Sequence, residues 1–139
     1  MMRKKGQAYT EFVVVLPGVL LLLLLAWEFA YFWWSRMVVS TATFEAARAV
    51  AAGEPTAVGY TLYEHIVAGG MGRMAREGRG GFFLSADPSL RSVRARARAP
   101  YRWPSGLAAL MGGRVNLTLR ASAFFRLERF WPGPPGGME

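Results

Sequence analysis

The side chains able to do chemistry fall into three groups. The first is nearly empty, since His65 is the single histidine, there is no cysteine, and the nine acids form no cluster around that histidine. Hydrolytic or metal chemistry needs a nucleophile beside a base, or several ligands at fixed spacing, so no enzyme activity, metal site or cofactor is expected. The glycines Gly69, Gly70, Gly72, Gly78, Gly80 and Gly81 make no phosphate loop, because no lysine-serine or lysine-threonine pair follows them. The second group is basic: of seventeen basic residues only Lys4 and Lys5 are lysine, and the formal charge is +8. Arg94, Arg96 and Arg98 alternate with Val93, Ala95, Ala97 and Ala99, while Arg120 sits in a second alternating run. Such a face could hold phosphates of DNA, lipid headgroups or an acidic polysaccharide. The plainer reading is a solvated sheet face, for no aromatics are interleaved among these arginines to stack on bases. The third group opens the chain, where Arg3-Lys4-Lys5-Gly6-Gln7 precedes Glu11-Phe12 at the threshold of an apolar run.

That run, Phe12 to Trp34, holds twenty-three residues and one charge, Glu28. A membrane-spanning helix needs about 20. A secretory signal would be shorter and would end at a small-residue cleavage site, whereas this run ends in Trp27, Tyr31, Trp33 and Trp34, an interfacial aromatic belt. Arg3, Lys4 and Lys5 lie just before it and predict a cytoplasmic N-terminus with the remainder exported, Arg36 being the one nearby opponent.

Two lysines, Gly6, and an acid five positions after the glycine resemble the prepilin-peptidase site of type IV pilins and pseudopilins. The resemblance implies cleavage between Gly6 and Gln7, with residues 1–6 as leader and the helix retained. It also implies that Glu11 pairs with the new amino group of a neighbouring subunit. The residues alone admit a second reading, a carboxylate at the cytoplasmic interface favoured by the helix dipole. Gln7 departs from the phenylalanine that usually begins major type IV pilins. Glu11-Phe12, Val13 to Leu16, Pro17, the leucine run and Glu28-Phe29-Ala30 are more similar to the TadE-like pseudopilins of tight-adherence (Tad) pilus systems. The small-residue stretch Ala46-Ala47-Arg48-Ala49 continues that likeness, which covers residues 5–52. The partners implied are other pilins and pseudopilins, the prepilin peptidase, the inner-membrane assembly platform and the lipid bilayer. Glu11, Phe12, Pro17 and Glu28 are the expected subunit-packing positions.

Pro17 lacks the amide that would bond the carbonyl four residues back, so a kink or loosened turn is predicted between Val13 and Pro17. At about 1.5 Å per residue Glu28 lies about 24 Å from Phe12, near the outer edge of a ~30 Å core. It either reaches outward beside Trp27 and Tyr31 or pairs with a group on a partner helix.

Beyond Trp34 the helical pattern persists to Ala52 with Met37, Thr41, Phe44, Ala47 and Ala51 on one stripe, and Gly53-Glu54-Pro55 stops it. Thr56 opens a second helix to about Ala68, with Val58, Leu62, Ile66 and Tyr63 as its apolar face. Glycines then bracket a short turn at Arg73 to Arg76. Alternation predicts strands over Arg91 to Tyr101 and Arg114 to Arg126, paired antiparallel, with Gly81 to Ser85 as a third and a helical turn at Leu107 to Met111. The expected fold is α+β, a long spine helix (7–52) and an exported region (53–130) with a second helix and a small sheet, followed by a mobile tail (131–139) started by Trp131. The expected role is a minor pseudopilin in assembly or priming of a Tad-type pilus in the inner membrane or in the filament itself. The alternatives are a binding module using its arginine face on DNA or an acidic polymer, and a plain unprocessed anchor.

Overall fold

The computed structural model describes residues 3–71, 81–101, 103 and 117–127, with side chains from Tyr9 onward. Its elements are α1 (Arg3–Ala51), α2 (Thr56–Met71), β1 (Phe82–Asp87), β2 (Ser92–Tyr101) and β3 (Leu117–Arg126). This is the α+β arrangement the patterning predicts. The expected turns at Arg73 to Arg76 and Leu107 to Met111, the strand start at 114–116, and the tail with Trp131 lie outside the described residues. The chain divides into two compact units, Met1–Trp33 and Trp34–Glu139.

Among the described residues the first unit is helix alone. Every residue from 9 to 27 is exposed, among them Val14 at 78%, Leu22 at 67% and Leu23 at 62%. A helix apolar on all sides has no polar face to give to water, so its medium must be lipid or other helices. The helix continues through Pro17, so the missing amide removes one rung at Val13 without ending it.

In the second unit the remainder of α1 buries Ser35, Val39, Ala42, Thr43, Ala46, Ala47 and Val50. This corrects the expected stripe in part: Ala47 is buried and Ala51 packs against the core as expected, but Met37 and Phe44 are exposed at 61% and 49%, and Thr41 is exposed too. Small side chains permit close approach of neighbouring elements, so packing selects the alanine face over the bulkier one. The buried Thr43 hydroxyl is satisfied within the helix, donating to the Val39 carbonyl at 2.7 Å. The helix ends one residue before the expected Ala52 in a Schellman turn. Gly53 N–H donates to the Val50 carbonyl at 3.1 Å, Glu54 N–H to the Ala49 carbonyl at 3.1 Å, and Gly53 takes φ 105°.

The second helix differs from expectation in face and in length. It buries Gly59, Tyr63, Val67 and Met71, so of the expected face Tyr63 is buried, Leu62 and Ile66 are half-buried and Val58 is exposed. The cause is Gly59, where an added Cβ would lie 2.5 Å from Leu84 Cδ2, 3.0 Å from Val50 Cγ2 and 3.2 Å from the Ala46 carbonyl oxygen. The helix also runs past Ala68 through Gly69 and Gly70. At Gly70 a Cβ would meet both Val38 methyls at 2.6 Å, and the Trp34 indole N–H donates to the Gly70 carbonyl at 3.2 Å. Gly70 therefore serves packing, where the sequence pattern suggested a flexible break, while Gly69 has nothing within 4 Å of its Cβ position.

The sheet order is β1-β2-β3, antiparallel throughout. Its inner face sets Leu84, Val93 and Ala95 against Ala47 and Val50 of α1, with Leu127 completing the cluster. Phe44 tilts against Phe125 at 4.9 Å, Tyr63 stacks on Phe82 at 3.9 Å, and Tyr60 meets Phe82 edge-on at 5.2 Å. The Leu84 amide donates to the Tyr60 hydroxyl at 3.2 Å, so α2 occupies hydrogen-bonding capacity on β1 that an open sheet edge would leave exposed.

Candidate functional site

Two regions carry the residues singled out by the sequence. In the first, Gly6 and Gln7 fall within the opening turns of α1, where the backbone alone is described, and Glu11 and Phe12 are exposed. Pro17 is likewise exposed. Glu28 departs from its surroundings: it is 1% exposed, whereas Trp27 and Phe29 are each 65% exposed. Phe29 and Trp33 form an edge-on pair at 6.1 Å on the same unit. Among the described residues one helix is long and apolar enough to cross a membrane.

The second region is the outer face of the sheet. Strand alternation puts every other β2 residue there, and Arg94, Arg96 and Arg98 are all exposed. Cross-strand register brings further groups to the same face. Arg98 faces Arg120, Arg96 lies between Phe83 and Ser122, Arg94 lies between Ser85 and Phe124, and Ser92 faces Arg126. The four predicted arginines are thus brought together, and Arg126 joins them. Phe83 and Phe124 are exposed at 60% and 62%, and the Arg94 guanidinium lies 5.7 Å from the centre of the Phe124 ring. This corrects the expectation that no aromatics are interleaved. They come from the neighbouring strands, and only the pairing register reveals them. Arg98 opposite Arg120 is a like-charge pair, an arrangement that is destabilising in itself.

At one end of this face Asp87 closes the β1–β2 turn. Its Oδ1 accepts from the Ser89 hydroxyl at 2.6 Å, the Ser89 amide at 2.9 Å and the Leu90 amide at 3.2 Å. The Ser89 hydroxyl and the Leu90 amide, with a smaller contribution from Arg94, hold its carboxyl below the usual carboxylate range. Burial pushes the Tyr63 phenol up. His65 is exposed on α2, and no group of three or more acids or histidines able to hold a metal occurs among the described residues.

No curated protein and no solved structure matches the chain significantly. The family model described as TadE-like protein matches residues 6–48, the span containing Gly6, Gln7, Glu11, Phe12, Pro17 and Glu28. Over those residues, the membrane-type helix and the small-residue stretch that follows it, the chain is similar to TadE-like proteins.

Proposed function

We propose that this chain is a minor, non-catalytic pilin-like component that assists assembly or priming of a Tad-type pilus through helix packing in the membrane. The observation that carries the reading is the TadE-like match over residues 6–48 on a helix whose apolar side chains are exposed from 9 to 27. Such a surface is satisfied by lipid and, on leaving lipid, by the helices of other pilins. Arg3, Lys4 and Lys5 favour a cytoplasmic N-terminus and an extracytoplasmic C-terminal unit. Cleavage after Gly6 would leave Glu11 near the new terminus, where a carboxylate can meet the amino group of an adjacent subunit. The partners are then other pilins, the prepilin peptidase and the inner-membrane assembly platform.

The test is genetic and structural together. Pili counted by electron microscopy should fall in a native-host strain lacking this chain, return with the wild-type chain, and stay low with Gly6→Val, which blocks processing. Normal piliation without the chain would contradict the reading.

A further inference from the structure

The outer face of the sheet has a composition that the membrane segment and its family do not account for. Arg94, Arg96 and Arg98 stand on alternate positions of the central strand, so successive guanidinium groups start about 6.8 Å apart. That step is comparable to one nucleotide of an extended strand. Arg120 and Arg126 widen the line on β3, and Asp87 is the single acid of the face among the described residues, already engaged by Ser89 and Leu90. Phe83 and Phe124 flank the arginines from opposite sides, on strands about 10 Å apart.

From this juxtaposition we propose that the three-stranded sheet binds single-stranded DNA, the arginines holding successive phosphates and Phe83 and Phe124 stacking on bases. Guanidinium forks match phosphate oxygens in bidentate geometry, and exposed rings among cations are the platform that unpaired bases use. An acidic polysaccharide offers no planar ring to Phe83 and Phe124. A duplex shields its bases, so both rings would stay in water. An anionic bilayer would engage a broad basic plane as well as a line, and would not need two rings set on opposite sides of it. The inference is independent of pilus assembly, because it rests on residues outside the TadE-like span.

The experiment uses the full chain in nanodiscs of neutral phosphatidylcholine and a fluorescein-labelled twenty-nucleotide oligothymidylate, followed by anisotropy across a salt series. Binding should weaken linearly on log–log axes, with a slope of about −0.7 per phosphate held. Phe83→Ala and Phe124→Ala should each weaken binding about tenfold while leaving that slope unchanged. R96Q with R98Q should flatten the slope. Both rings are exposed, so far-UV circular dichroism and the melting midpoint should stay at wild-type values, and Phe124→Tyr should retain binding. No binding at low salt would overturn the proposal. So would tighter binding of a duplex of equal length, or equal competition by polygalacturonate or phosphatidylglycerol vesicles. Phenylalanine variants that bind like wild type would also overturn it, reducing the face to a generic cation patch.

Discussion

The two stretches of α1 share one backbone conformation and use opposite packing strategies. Residues 9–27 expose leucine and valine in every direction, whereas the stretch from Ser35 to Val50 hides serine, valine, threonine and alanine. The larger and more hydrophobic side chains are the exposed ones. In water the hydrophobic effect would reverse that order. The contrast is resolved when the first stretch is surrounded by lipid or partner helices and the second packs on its own sheet and helix. It teaches that burial within one chain reports its packing partner as much as its hydropathy.

The comparison can be broken most forcefully with one acid placed in each stretch. Val50→Asp puts a carboxyl into a site that is 1% exposed and should cost the C-terminal unit on the order of 3 kcal/mol, read by denaturant unfolding in detergent. Leu22→Asp should leave that unfolding unchanged and instead cost about 3 kcal/mol in membrane insertion, read by a translocation assay. If Leu22→Asp unfolds the C-terminal unit equally, the two stretches are not energetically distinct. Gly59→Ala sharpens the close-packing half of the contrast: with Leu84 and Val50 in the way of a Cβ, a loss of about 1–3 kcal/mol is expected. Gly18→Ala, with nothing within 4 Å, should not destabilise its helix. Next comes Gly53→Ala, which forces a side chain into φ 105° and should cost about 1 kcal/mol at the end of α1.

The smallest effect is a pH dependence confined to the C-terminal unit. Asp87 is held below the usual carboxylate range in the folded chain, so its contribution is present above the unfolded pKa and is lost as pH falls through the folded value. Melting curves of wild type and Asp87→Asn should therefore differ slightly at neutral pH and converge in acid. A difference that grows in acid would reverse the sign and refute the turn's role.

Local patterns were legible from residues alone. The length of the apolar run, the spacing of Lys4, Lys5, Gly6 and Glu11, and the alternation in β2 and β3 all follow from contiguous sequence. What escaped was set by contacts between distant segments. Met37 and Phe44 outrank Ala42 and Ala46 on any hydrophobic scale, yet close approach favours alanine. Gly70 looks like a helix breaker until Val38 is set against it, and Gly59 looks like a gap in an apolar face until Leu84 fills it. Phe83 and Phe124 lie on the arginine face because of cross-strand register, which neither strand specifies by itself.

The most direct test of the membrane-pilin account is the N-terminal residue of the mature chain, read by mass spectrometry on protein taken from its native membrane with an active prepilin peptidase. The account predicts a chain beginning at Gln7, with Glu11 at its fifth position. A chain that still carries Met1 to Gly6 would contradict it.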